Sequence, residues 1–160
     1  MDGDPNLKFV DPYQDGFQSN RVEAEIQSCQ EQLKGSPEDP ALSFQLATLY
    51  IRKGRIADAI PMLEHSLRRN PANSEGFFLL GNCYIRHDAW EMAARYYLKA
   101  LKINPDHAPS LYNIGICYAA LDAKPKAVSA FKKFYVLEPT REWREEAKFQ
   151  LYKLGVTLQS

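Results

Sequence analysis

The sequence predicts an all-α protein, a solenoid of stacked antiparallel helix pairs. Three observations predict it: a 34-residue period in the prolines, an apolar pattern repeated in register, and helical spacing within each cycle. Pro37, Pro71, Pro105 and Pro139 stand 34 residues apart. Leu46-Ala47 with Tyr50 recurs as Leu80-Gly81 with Tyr84, then as Ile114-Gly115 with Tyr118. Ala59, Ala93 and Ala127 align in the same way, as do Leu63, Tyr97 and Phe131. Self-similarity at a fixed period marks an array in which each unit buries its apolar face against its neighbours.

Residues 1–20 lack a helical period and are rich in Gly, Pro, Asn and Asp. They are expected to form an extended or disordered tail, acidic and aromatic through Phe9, Tyr13 and Phe17. Val22, Ile26, Cys29 and Leu33 then fall at i, i+4, i+7 and i+11, a helix over 21–34 that ends near Gly35 and Pro37. Three cycles follow, at 40–73, 74–107 and 108–141, each with two helices. In the second, Phe77, Leu80, Gly81 and Tyr84 supply the core face of the first helix, and Ala93, Tyr97 and Ala100 that of its partner. Gly or Ala at that fourth-residue contact lets the partner helix come close. Gly54, Asp88 and Asp122 mark the turns between partners, since Gly and Asp tolerate the left-handed backbone. The periodic proline ends each pair. Pro61 falls inside a helix, where it removes one backbone bond and is expected to kink it. Trp143, Ala147, Leu151 and Leu154 form the stripe of a capping helix over 141–154 that covers the end of the stack, so 21–160 reads as one domain.

With 45% apolar and 25% charged residues in 160, the chain has globular proportions. Twenty bases balance twenty acids, which argues against nucleic acid as a partner. The balance is uneven: residues 1–39 hold three bases against nine acids, net −6, and the remainder 17 against 11, net +6. Met1 to Pro5 shows no secretory leader, and no apolar run approaches the ~20 residues of a membrane span. A cytoplasmic protein without direct membrane insertion is expected. Cys83 and Cys117 are equivalent positions about 10 Å apart on stacked helices, beyond disulfide reach, so burial is their expected role and that of Cys29. His65, His87 and His107 fall at unrelated repeat positions and read as exposed polar residues rather than metal ligands. No phosphate loop, dinucleotide fingerprint or zinc-protease motif is present. The expectation is a non-enzyme with no catalytic residues, metal or cofactor.

The repeated pattern resembles the tetratricopeptide repeat, Trp-x2-Leu-Gly-x2-Tyr, then Ala-x3-Phe, then Pro. The first position departs from it as Ser43, Phe77 and Leu111, Ala47 replaces Gly, and Phe134 stands where Ser66 and Ala100 keep a small residue. The resemblance implies a right-handed superhelix whose first helices line a concave groove. On that basis Phe44, Phe78 and Tyr112 form an aromatic ladder along it, followed on the same face by Thr48, Asn82 and Ile116. Ile51 and Ile85, then Arg52 and Arg86, extend the face. The alternative is that the ladder only widens the core stripe. Asn82 and Asn113 match two asparagines of the clamp with which some members grip acidic chaperone C-termini. The basic clamp positions fall on Phe78, Trp143 and Ala147, so that clamp is not expected. Length and repeat count are also similar to the three-repeat chaperones of type III secretion.

The implied function is protein–protein interaction, as adaptor, scaffold or assembly chaperone, with a partner's extended or helical segment in the groove. Self-association into a homo-oligomeric scaffold is the alternative. The charge asymmetry adds two readings of residues 1–20. They fold back, with Phe9, Tyr13 and Phe17 in apolar pockets and Asp11 and Asp15 on Arg52 or Arg86, or they form a disordered tail.

Overall fold

The structure, a computed structural model, describes residues 8–12 and 20–158. Within them the chain forms eight helices: α1 (Asn20–Gly35), α2 (Pro40–Arg52), α3 (Ile56–Arg69), α4 (Ser74–Ile85), α5 (Trp90–Ile103), α6 (Ala108–Ala120), α7 (Lys124–Leu137) and α8 (Arg141–Lys153). Each helix packs on its chain neighbours, most extensively within the pairs α2–α3, α4–α5 and α6–α7. This is a solenoid of three helix pairs with a flanking helix at each end. None of the described helices is long and apolar enough to cross a membrane.

The period sets the ends of the helices as well as their faces. Two residues after each of three prolines stands an N-cap: Asp39, Asn73 and His107, again 34 apart. Asp39 accepts the backbone N–H of Ala41 at 2.8 Å, Asn73 that of Gly76 at 3.0 Å, and His107 that of Ser110 at 3.3 Å. Each satisfies a donor that the first helical turn leaves without an intrahelical partner. Within a pair the first helix ends in a left-handed residue, Gly54 at φ 73°, Asp88 at 53° or Asp122 at 55°. The following N–H then reaches back to the carbonyl of Tyr50, Tyr84 or Tyr118, at 2.8, 3.1 and 2.8 Å, so the helix end is closed by its own backbone.

Close approach of the two helices in a pair rests on missing side-chain atoms. A Cβ built on Gly81 would stand 2.7–2.8 Å from Cζ and Cδ1 of Tyr97, and one on Gly115 would stand 2.7–2.9 Å from the Phe131 ring. The equivalent pair in the first repeat is Ala47 and Leu63, both fully buried. A branched aliphatic there leaves room for the methyl group that the rings exclude. Phe134, larger than its counterparts Ser66 and Ala100, is buried against the Tyr112 ring, with centroids 5.1 Å apart. α8 closes that end with Ala147 and Leu151 buried, and α1 closes the other with Val22, Ile26 and Cys29.

Two expectations are corrected, the core face of α4 and the exposure of the histidines. Phe77 and Tyr84 are half-buried at the outer edge, stacked around Tyr96 at 6.4 and 5.3 Å, and the deep face of α4 belongs to Phe78, Leu79, Leu80 and Cys83. The reason is that α4 packs against α3, α5 and α6, so a single stripe underestimates what is covered. α3 runs on through Pro61, whose ring lies on the exposed side. Of the histidines only His87 is exposed; His65 bonds Ser43 Oγ at 2.9 Å, and His107 meets the Phe78 ring edge-on.

Gly81→Ala is expected to lower stability. The gain in helix propensity is about 1 kcal/mol at most, whereas overpacking against a ring that cannot move costs about 1–3 kcal/mol. A fall in the urea midpoint checks this, with Gly35→Ala as the control, since nothing lies within 4 Å of that Cβ position. Asp88→Val is expected to cost about 1–2 kcal/mol, because a β-branched residue at positive φ is strongly disfavoured. Asp88→Asn should leave the melting temperature nearly unchanged.

Candidate functional site

The site begins with Tyr97, the one tyrosine in the buried set Leu63, Tyr97, Phe131. Its ring sits over Gly81, and its hydroxyl donates to Asn82 Oδ1 at 2.6 Å. Burial, the largest influence, raises the hydroxyl's pKa well above the ordinary tyrosine value, so it stays protonated and remains a donor. With Oδ1 of Asn82 engaged in this way, its Nδ2 is turned outward. Asn113, from α6, donates to the same Oδ1 at 2.9 Å. A tyrosine from a second helix thus fixes the orientation of two asparagines from adjacent first helices.

The described N-terminal segment, residues 8–12, lies across this pair. Val10 N–H donates to Asn113 Oδ1 at 2.7 Å, and Val10 C=O accepts from Asn113 Nδ2 at 2.8 Å and Asn82 Nδ2 at 3.1 Å. Both backbone polar groups of one residue are therefore held by side chains. Val10 packs against both halves of the apolar core and Phe9 against the larger one. On the C-terminal side, Arg86, which follows α4, grips the Asp11 carboxylate through Nε at 3.1 Å and also through its terminal nitrogen. The Asp11 side chain is only 1% exposed, so this charge is desolvated and paired. On the N-terminal side, Lys8 Nζ lies 4.7 Å from the Trp143 ring centroid and within 3.5 and 3.7 Å of Glu142 and Glu146. Glu146 is held in turn by Gln150 Nε2 at 2.9 Å and the Tyr112 hydroxyl at 3.3 Å. The segment runs from α8 across α6 to the end of α4.

A helical-pair solenoid with this repeat anatomy also emerges from comparison with known proteins. Profiles described as tetratricopeptide repeat match residues 44–108 and 96–128. The chain is a tetratricopeptide-repeat protein. Its repeat solenoid is similar to solved structures of low sequence identity. The MamA crystal structure superposes with a TM-score of 0.78 at 19% identity, covering 92% of this chain and 87% of that one. A second MamA structure gives 0.71 at 21%, covering 89% and 87%. YrrB, described as a TPR protein with an unusual peptide-binding site, gives 0.72 at 22%, covering 81% and 66%. Among curated proteins nothing matches significantly.

The tetratricopeptide-repeat groove does not carry the open aromatic ladder expected for it. Phe78 is 2% exposed and packs on Tyr97 and His107, with centroids at 6.0 and 5.1 Å. Tyr112 is fully buried among Phe131, Phe134 and Trp143. Rings at this position cross to the second helix and the next repeat, leaving Phe44 alone half-buried. Ile51, Ile85 and Ile116 are buried as well. Thr48 donates to its own helix at Gln45 O, 2.7 Å away, and Arg52 pairs with Glu25 at 3.7 Å rather than with the described residues 8–12. Asn82, Arg86 and Asn113 are the expected residues brought together on residues 8–12. Tyr97, Trp143, Glu146 and Gln150 belong to the site and were missed; a readable signal was the one hydroxyl in an otherwise apolar repeat position. Tyr13, Asp15 and Phe17 lie outside the described residues.

Cys83 and Cys117 are free and buried beneath this surface, and desolvation pushes both thiols up to about 12. A folded-state pKa raised above the usual 9.0 stabilises the fold below that value, and the contribution is lost as pH rises towards about 12. Stability measured by urea titration is therefore expected to fall through that alkaline window. At pH 8 the two thiols should resist a thiol-specific reagent until the chain unfolds.

Proposed function

We propose that this protein is a non-catalytic interaction module that binds an extended segment of a partner protein in its concave groove. The carrying observation is the double engagement of Val10, whose N–H is taken by Asn113 and whose C=O is taken by Asn82 and Asn113. Backbone capture of this kind accepts many sequences, and flanking pockets and charges then select among them. The side chains are preset by Tyr97, so little ordering cost falls on the protein when a segment binds. The similarity in fold to YrrB, described as having a peptide-binding site, supports the same reading.

Displayed peptide libraries panned on the full-length chain carrying Val10→Pro and Asp11→Ala, which weaken the hold of the chain's own residues on Asn113 and Arg86, test it. Selected peptides are expected to lose at least tenfold in affinity against Asn113→Leu, roughly the 1.4 kcal/mol of a lost backbone grip, while helicity stays the same. Binders indifferent to both Asn113→Leu and Arg86→Glu would place binding elsewhere and sink the proposal.

A second reading, a self-associating scaffold, has its own observation. Val136 is 80% exposed, and Phe149 and Tyr152 on α8 are exposed too. Mass by light scattering across a concentration series decides it: growth with concentration is expected for a scaffold, and a constant monomer mass removes that reading.

A further inference from the structure

The contacts along residues 8–12 differ in chemistry from one position to the next. A cation sits at Lys8, between the Trp143 ring and the carboxylates of Glu142 and Glu146. An aromatic and an aliphatic follow at Phe9 and Val10, both packed on the core. An acid ends the run at Asp11, buried to 1% exposure against Arg86. At Pro12 the chain turns and becomes exposed, which ends the docked stretch. The two ends of the groove thus carry opposite charge, acidic at α8 and basic after α4, so they orient a bound segment as well as select it.

We infer that the groove selects an extended partner segment with a cation, an aromatic, an aliphatic and an acid in succession. We infer also that Lys8-Phe9-Val10-Asp11 of this chain is the resident competitor which such a segment displaces. The inference rests on the groove reading above and adds to it the partner's chemistry and a built-in threshold. Tethering gives an internal segment an effective concentration of ~mM. A partner's apparent affinity is then reduced by the fraction of chains whose groove is occupied. Only segments that outcompete the resident stretch would be bound at ordinary concentrations.

The test uses the full chain and a fluorescein-labelled peptide of residues 6–14, read by fluorescence anisotropy. A loosened chain carries Val10→Pro, which removes the N–H donated to Asn113, and Asp11→Ala, which removes the acid held by Arg86. Neither change touches a helix. The peptide is expected to bind the loosened chain at least tenfold more tightly than the wild type. Adding Arg86→Asp to the loosened chain should weaken the peptide at least fivefold, and a peptide carrying Asp11→Arg should recover the loss. Equal affinity for the wild type and the loosened chain overturns the resident competitor while leaving the groove reading in place. A loss at Arg86→Asp that the swapped peptide does not recover overturns the acid selection. No binding to a loosened chain of wild-type helicity overturns the groove reading itself.

Discussion

The Tyr97 side chain joins the packing of the solenoid to the chemistry of its groove. Its ring occupies the space that Gly81 leaves open, which sets the separation of α4 and α5. Its hydroxyl, protonated because burial disfavours the phenolate, donates to Asn82 and so determines which way that amide points. Asn113 joins the same network from the next repeat. None of the described buried side-chain polar atoms lacks a hydrogen-bond partner, so the network adds polarity to the core without an uncompensated desolvation cost. Altering the ring would alter the helix spacing, and altering the hydroxyl would leave Asn113 as the remaining donor to that amide oxygen.

Regularity and the contacts to residues 8–12 occupy different residues. The caps Asp39, Asn73 and His107, the left-handed turns and the small residues facing bulky ones recur every 34 positions and build one helix pair after another. The residues at the groove break the repeat. Asn82 is equivalent to Thr48 and Ile116, and Tyr97 to Leu63 and Phe131. A repeat scaffold tolerates such departures because each unit contacts only its neighbours, so one altered position need not be matched along the array.

The uneven charge has a structural counterpart. Acids from the first quarter of the chain reach bases beyond it: Asp11 meets Arg86, Glu23 meets Lys53 and Arg55, Glu25 meets Arg52, and Glu38 meets Arg69. Most of these pairs are solvent-exposed and individually weak. Together they bias the N-terminal part of the chain to lie along the first repeats. The pair at Asp11 differs because its carboxylate is shielded from water, which increases the consequence of losing its partner.

The sequence by itself determined the repeat length, the helix pairs and the turns, because these depend on periodicities of 3.6 and 34 that survive in a linear string. Through the resemblance to the tetratricopeptide repeat it also pointed to Asn82, Asn113 and Arg86, because the family's pattern assigns those register positions to the groove. Only the tertiary structure decided that Phe78 and Tyr112 point into the core, that Tyr97 orders the asparagines, and that Arg86 rather than Arg52 meets Asp11. Each of these depends on packing between elements distant in sequence. A side chain's direction out of a helix is legible from its register, but what it meets there is set by how closely the next helix approaches and by which chain segment fills the space between.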